Sequence, residues 1–489
     1  MANKYEIAIL GGGPGGYVAA IRAGQLGLKT VVIDYRPLGG ICLNWGCIPT
    51  KSLLKNVEIL DTLKNHSDDF GIKYKDLSFD FSRIIKRSRD ISDKITKNVE
   101  MLVKKNKVDR IKGFGKLISK NQIDIYDDNK KSSDSVESAR SDRTEFWRTG
   151  LHEKIDSITA DKIIIATGAR PKTTEAIPVD KKNIITYFEA MSLAEQPKEL
   201  IVIGAGAIGI EFAYFYNVLG TKVTVIEMLD EILPIEDKEV SQALTKNFKK
   251  RGIEILTKAI VDKAEIKGEK VKVTVSLNGE RKELTADKVL NAIGVTGNVE
   301  GFGLKELGVE LSKNHIKVDK SNYETNVRGI YAIGDVIGPP WLAHVASAEG
   351  IHCVEKIKGL NPPDIIYENI PGCTYCQPQV ASIGLTEAKA KDLGYEVKIG
   401  KFPFMASGKA FAIGEREGFV KLIFDTKYGE LLGAHIIGSE ATEMIAELGI
   451  AKSIEATGHS IFKTVHAHPT LSESIMEAAA AAYGEAIHI

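Results

Sequence analysis

Short apolar runs rich in β-branched residues recur along the first two thirds of the chain and alternate with helix-length amphipathic segments. The runs Ile7-Ala-Ile-Leu10, Thr30 to Ile33, Lys162-Ile-Ile-Ile165, Leu200-Ile-Val-Ile203 and Lys222 to Ile226 have the length and composition of buried strands. Strands that alternate with helices predict doubly wound α/β units with parallel sheets. Asp127 to His152 breaks the texture: Ser, Asp, Lys and Arg dominate, with few apolar anchors beyond Phe146, Trp147 and Leu151. This stretch reads as a solvated surface loop or hairpin insertion, with regular strand pattern resuming at Lys162.

One feature occurs twice. The first run enters Gly11-Gly-Gly13-Pro-Gly-Gly16, and the run at Leu200 enters Gly204-Ala-Gly206-Ala-Ile-Gly209. A helix-length segment and a second strand follow each, and that strand ends on an acid, Asp34 in one copy and Glu227 in the other. Glycines at this spacing permit a tight turn and close backbone approach, and the helix start offers free N–H groups to a pyrophosphate. The acid at the strand end accepts hydrogen bonds from ribose hydroxyls. Two dinucleotides are therefore expected, and Glu227, which repels a 2′-phosphate, points to NAD rather than NADP for the second.

Composition narrows the alternatives. At 489 residues the chain exceeds what one core supports, so three or four domains are expected. Lys+Arg and Asp+Glu are both 65, which removes the basic footprint of a nucleic-acid binder and argues against a polybasic membrane anchor. No apolar run approaches the ~18 residues of a membrane span. The N-terminus shows neither a signal-peptide core nor an Arg-rich transit segment, so a cytoplasmic protein, or a processed organellar-matrix one, is expected. The five cysteines (42, 47, 353, 373 and 376) are too few for a secreted disulfide scaffold, so a close pair reads as catalytic or metal-binding.

Cys42 and Cys47 lie in Gly39-Gly-Ile-Cys42-Leu-Asn-Trp-Gly-Cys47-Ile-Pro-Thr-Lys51. Residues five apart in a regular helix are separated by roughly 8–9 Å, whereas a disulfide needs Cα atoms within about 7 Å. A bonded pair thus requires a distorted helix start, for which Gly46 and Pro49 are suited. Cys47 then lies near a helix N-terminus, which favours its thiolate. Two structural cysteines or half a zinc site are the competing readings, and local context favours a redox pair with no metal. Cys353, Cys373 and Cys376 read as packing residues. Near the C-terminus, His466-Ala-His468-Pro-Thr-Leu-Ser-Glu473 could hold a base whose tautomer an acid fixes, or a surface histidine.

These motifs together resemble the pyridine nucleotide-disulfide oxidoreductase family over almost the whole chain, the 127–152 insertion excepted. The most specific elements are residues 39 to 54, Ala166-Thr-Gly168-Ala-Arg-Pro171, Gly204 to Glu211, Tyr331-Ala-Ile-Gly-Asp335 and the His466 to Glu473 segment. The resemblance implies two Rossmann-like dinucleotide-binding domains, for FAD and NAD, plus a C-terminal α+β dimerisation domain. Its expected divisions are 1–172 (FAD), 173–298 (NAD), 299–365 (a central segment returning to the FAD site) and 366–489 (interface). It implies that Cys42 exchanges with the substrate sulfur and that Cys47 forms a thiolate against the flavin. Lys51 and Glu211 would flank the flavin, Asp335 would bind its ribityl or phosphate region, and Gly40, Gly115, Thr167, Gly168, Ala343 and Gly294 would complete the cofactor contacts. His468 with Glu473 would be the acid–base dyad, reaching the disulfide of the other subunit of a homodimer.

Within the family the pattern is most similar to members that oxidise dihydrolipoyl groups carried on the lipoyl domains of 2-oxo acid dehydrogenase or glycine cleavage complexes. Glutathione-reducing members are the alternative, but they use NADPH and want basic residues where this chain has Glu227. The tail Ala478 to Ile489 lacks the cysteines of mercuric and large thioredoxin reductases. A binding protein that merely kept the scaffold would not need every motif. Two positions depart from the family pattern: Gly294-Val-Thr-Gly-Asn298 lacks the usual arginine, and Asp34 stands where glutamate is commoner.

Overall fold

The structure, a computed structural model, describes residues 3–128 and 152–489. It divides into two compact units, one of Met1–Ser52, Ile85–Lys172 and Gly294–Ile365, the other of Leu53–Ile84, Thr173–Ile293 and Ile366–Ile489.

In the first unit, strands Asp109–Ile111, Thr30–Ile33, Asn3–Leu10, His152–Ile165 and Ile330–Ala332 lie side by side in that order, all parallel. Thr30–Ile33 is buried along its whole length, as expected of a strand covered on both faces, which is why these strands read as unbroken apolar runs. The helix Pro14–Gln25 crosses the helix Ala343–Ile357 at glycines: a Cβ on Gly350 would sit 2.7 Å from the carbonyl oxygen of Gly15. Antiparallel strands Gln122–Asp128 and Phe114–Ser119 extend the sheet beyond His152–Ile165.

One boundary differs from the expectation. The strand that was to resume at Lys162 already begins at His152. Its first half pairs only with Gln122–Asp128 and keeps Glu153, Lys154, Ile155 and Asp156 exposed, so no apolar run marks it. Asp128 and His152 face each other across this pairing; the expected insertion between them lies outside the described residues.

The second unit contains a parallel sheet in the order Glu254–Leu256, Lys222–Ile226, Glu199–Ile203, Lys288–Asn291, Ile184–Ile185. It carries a three-stranded antiparallel sheet, Ala259–Lys267, Lys270–Leu277 and Glu280–Ala286. Residues 366–489 form a five-stranded antiparallel sheet in the order Gly372–Thr374, Gln379–Gly384, Leu431–Gly438, Phe419–Asp425, Val397–Pro403. The helices Ala441–Ser453 and Glu473–Ala481 share its core. The latter packs so closely that a Cβ on Gly400 would fall 1.8 Å from the Ala478 carbonyl oxygen. The expected α/β class and C-terminal α+β part are both present.

A buried ionic cluster ties this last sheet to the nucleotide-binding part of the same unit. Lys421, 2% exposed, contacts Asp237 at 3.0 Å and Glu239 and Glu387 at 2.7 Å each. Burial alone would raise Asp237, but the hydrogen bond and charge of Lys421, with His435 and the Glu239 N–H, together outweigh that and hold the carboxyl below the usual range. The same contest, won by Lys401 and Lys421 together, lowers Glu239, and bonds from Lys391 and Lys421 lower Glu387. Carboxylates held low in the fold contribute stability that is present above their unfolded values and lost as pH falls through the folded ones. Lys421→Met leaves buried negative charge without its partner and should cost about 3–5 kcal/mol at neutral pH. Thermal unfolding against pH checks this: the variant's deficit should shrink as the pH is lowered into the carboxylate range, and a pH-independent deficit would contradict the account.

Candidate active site

The first glycine motif turns the chain at the end of strand Asn3–Leu10. Gly11 has φ +106°, and a Cβ there would lie 2.2 Å from the Ala166 carbonyl oxygen. A Cβ on Gly16 would lie 1.8 Å from the oxygen of Gly11, so the helix Pro14–Gln25 starts against the turn itself. Asp34, 4% exposed, fixes the loop: Gly12 N donates to its Oδ2 at 2.7 Å and Arg36 N to its Oδ1 at 3.1 Å. A shallow hollow at the strand ends is lined by Gly11, Asp34, Tyr35, Phe114, Gly115 and Phe302. A carboxylate at the second strand end beside a glycine turn is the pattern of a dinucleotide-binding βαβ unit.

The second motif repeats the geometry. Gly204 has φ +99° with a prospective Cβ 2.4 Å from the Ala292 oxygen, and Gly209 would meet the Gly204 oxygen at 2.0 Å. Glu227 accepts from Ala205 N at 2.7 Å and from Leu229 N at 2.9 Å. Nothing stands within 4 Å of a Cβ on Gly206, which precedes the helix Ala207–Leu219. Both acids thus bind their glycine loops, a structural duty that their spacing did not reveal.

The cysteine segment is broken where the bond geometry demands. A six-residue helix, Gly40–Trp45, ends at Gly46 (φ −148°, ψ −115°), and the helix Cys47–His66 begins directly after it, with Pro49 in its first turn. Gly40 has φ +57°, and a Cβ there would lie 2.6 Å from the Gly13 Cα, so this segment starts in contact with the first glycine loop. Cys42 and Cys47 are both half-buried thiols. Their mutual hydrogen bond, then burial, push Cys42 well above the usual thiol range against the lowering influence of Lys51.

Around them, Thr167 donates from Oγ1 to Asn298 O at 2.8 Å, and Asn298 returns a bond from Nδ2 to Thr167 O at 2.9 Å. The pair fixes the turn at Gly168, where φ is +69°. The strand Val295–Gly297, after Gly294, pairs with Ala169–Pro171, and Arg170 bonds Gly297 O at 3.0 Å. Burial, with the Glu349 carboxylate adding to it, pushes Asp335 up to about 6. Asp335 precedes the helix that starts at Ala343.

In the second unit Glu211, 5% exposed on the helix of the second motif, accepts from Tyr375 N at 3.0 Å. His468 Nδ1 lies 2.9 Å from Glu473 Oε1, and Glu473 Oε2 accepts from Thr470 N at 2.8 Å. Burial would raise Glu473, but the bonds from Thr470 N–H and His468 outweigh it and keep the carboxyl low. An ionised acceptor at Nδ1 places the ring proton there and leaves Nε2 as the basic nitrogen, on a side chain 78% exposed. Cys353 is fully buried in the core, and Cys376 is fully buried with its thiol 3.2 Å from Pro378 O.

The first unit therefore gathers the first glycine motif, Asp34, both cysteines, Lys51, Gly115, Thr167, Gly168, Asp335, Ala343 and Gly294, and the second gathers Gly204, Gly206, Gly209, Glu211, Glu227, His468 and Glu473. Arg87, Arg89 and Thr96, which bond the cysteine segment, went unnoticed in the sequence because a charged helix face resembles a solvated one. Among the described residues no group of three or more His, Cys, Asp or Glu could hold a metal ion, and no helix is long and apolar enough to cross a membrane.

Two glycine-turn βαβ units, a close cysteine pair and a His–Glu pair lie on this scaffold, and the chain belongs to the pyridine nucleotide-disulphide oxidoreductase family. It matches that family over residues 5–350 and the family's dimerisation domain over 370–479. Among relatives, it is 47% identical to a dihydrolipoyl dehydrogenase of Rhizobium etli and 43% identical to that of Bacillus subtilis, each alignment covering 100% of both chains. Among solved structures it is similar to LpdA from Mycobacterium tuberculosis, with TM-score 0.86 and 26% identity over 98% of this chain and 99% of that one. The flavoprotein disulfide reductase RclA from Escherichia coli shares the fold, with TM-score 0.82 at 23% identity over 98% of this chain and 99% of that one.

Two of the three glycines of the second motif should separate folding from binding. Gly209→Ala forces a Cβ into the Gly204 carbonyl and should destabilise by about 1–3 kcal/mol. Gly206→Ala meets no protein atom and should leave the unfolding temperature unchanged while weakening NAD binding by about tenfold, or ~1.4 kcal/mol. Calorimetric unfolding beside an NAD titration checks both, and equal binding by Gly206→Ala would remove the pyrophosphate from this loop.

Proposed function

We propose that the protein oxidises dihydrolipoyl groups to lipoyl disulfides and reduces NAD, using FAD and the Cys42–Cys47 pair. The observation that carries this reading is the inequivalence of the two thiols, which stand on either side of a helix break beside the first nucleotide cradle. The full-length relatives named dihydrolipoyl dehydrogenase support the same reaction.

FAD would be held by Gly11, Gly13, Gly16, Asp34, Gly40, Gly115, Thr167, Gly168, Asp335 and Ala343, with Lys51 and Glu211 flanking its ring. NAD would be held by Gly204, Gly206, Gly209, Glu227 and Gly294. When bound, FAD accepts an electron pair from the dithiol and NAD carries it away as hydride. The protein's own steps are acid–base and exchange chemistry. His468 Nε2 takes the proton of one substrate thiol, with Glu473 holding the imidazole. The resulting thiolate attacks Cys42 Sγ, the Cys42–Cys47 bond breaks, and Cys47 leaves as a thiolate. His468 passes that proton to solvent and then takes the proton of the second substrate thiol, whose thiolate attacks the substrate sulfur bound to Cys42 and closes the lipoyl ring. Cys42 leaves and takes up a proton. The substrate has lost two electrons and two protons, and the cysteine pair holds the electrons. The matched dimerisation domain supports a homodimer in which each dyad serves the partner's disulfide, with lipoyl domains as the docking substrates. The four-part division at 172, 298 and 365 is proposed as the functional one.

A steady-state assay discriminates the readings. Dihydrolipoamide with NAD should turn over at least about a hundredfold faster than glutathione disulfide with NADPH, a difference of ~2.7 kcal/mol in transition-state stabilisation. The reverse preference would assign the chain to the glutathione-reducing members. Cys47→Ser should keep the yellow flavin but lose both turnover and the long-wavelength absorbance that follows dithiol addition; undiminished turnover would overturn the relay.

A further inference from the structure

A disulfide between Cys42 and Cys47 requires a short helix and the longer one after it to stay in register across one residue, Gly46. The helix Gly40–Trp45 is too short to be stable alone, and its last carbonyls have no partner within the helix. One of them, Asn44 O, receives Arg89 Nη1 at 2.6 Å. Asn44 itself is locked: its Nδ2 donates to Leu38 O at 3.1 Å and Gly40 O at 3.0 Å, and its Oδ1 accepts from the Thr96 hydroxyl at 3.0 Å. On the other side of the break, Arg87 Nη1 donates to Ser52 Oγ at 2.7 Å and lies 3.3 Å from Ser52 O, in the second turn of the helix that starts at Cys47. Arg87, Arg89 and Thr96 all project from the helix Phe81–Lys105. Residues two apart on a helix leave it in different directions, so one rigid rod reaches both flanks of the cysteine pair.

On the reading of Cys42 and Cys47 as the redox pair, we propose that Arg89 and Arg87 are positioning residues that clamp the two cysteine-bearing segments and hold the sulfurs at bonding distance throughout the redox cycle. Breaking the S–S bond removes the one covalent link between the segments besides the backbone at Gly46. With the clamp in place the thiols remain adjacent, and loss of two electrons and two protons to an oxidant re-forms the bond without a search. The clamp therefore favours the disulfide over the dithiol. A purely structural anchor would lower stability and leave that equilibrium where it was.

The test is thiol–disulfide exchange of the holoenzyme with dithiothreitol, in which the protein disulfide gains the two electrons and two protons that close the dithiothreitol ring. The bound fraction of each state is read from cysteine alkylation after acid quench. Arg89→Met should shift the equilibrium constant toward the protein dithiol by tenfold or more, equivalent to about 30 mV. Arg89→Lys, which keeps the charge and a donor, should recover most of that shift, and Arg87→Met should move it in the same direction by less. An unmoved constant in folded Arg89→Met overturns the proposal. If that variant does not fold, an unmoved constant in both Arg89→Lys and Arg87→Met overturns it instead. Failure of the unmodified protein to exchange reversibly at Cys42 and Cys47 would overturn the redox reading itself, a result distinct from either.

Discussion

Two sulfur atoms five residues apart can bond only where the backbone departs from a regular helix, and much of the first unit is arranged around that departure. Gly46 supplies the break, Gly40 brings the segment against the first glycine loop, and the helix Phe81–Lys105 braces both sides. The same break makes the sulfurs chemically different. Cys47 occupies the start of a twenty-residue helix, where the aligned peptide dipoles favour negative charge. Cys42 sits in the short segment before it, where its hydrogen bond with Cys47 and then burial push its thiol up. An exchange reaction needs this asymmetry, since one sulfur must be attacked and the other must leave.

The two nucleotide cradles solve one problem in one way. In each, a glycine turn is pressed so tightly against the neighbouring strand end that no side chain fits, and an acid at the next strand end accepts backbone N–H groups from the loop. The carboxylate is thus fixed by the protein before any ribose arrives, which lowers the ordering cost of binding. The copies differ where their tasks differ. Beside Asp34 stand Tyr35, Phe114 and Phe302, whereas no protein atom comes within 4 Å of a Cβ on Gly206.

The sequence announced what depends on local pattern. The buried parallel strands stood out because covering both faces leaves only apolar residues, and the cradles stood out because glycine has no substitute at those turns. The break between Cys42 and Cys47 followed from bond length alone. Less was legible where tertiary context decides. Glu153 to Asp156 form strand although they are exposed and polar, because a neighbouring strand supplies their backbone partners. Arg87 and Arg89 look like ordinary surface charges in a helix that carries many, and only the fold shows which ones turn back to the cysteine segment. Lys421 was equally silent: a lysine within an apolar strand becomes intelligible only beside the three carboxylates that surround it.

The central claim is that the cysteine pair is an electron store in series with the flavin. Anaerobic titration of the holoenzyme with a stoichiometric reductant, followed by absorbance, tests it most directly. The account predicts that full reduction takes two electron pairs per chain, the first leaving the flavin oxidised while the disulfide opens. Complete bleaching of the flavin by a single electron pair would show that Cys42 and Cys47 do not take part.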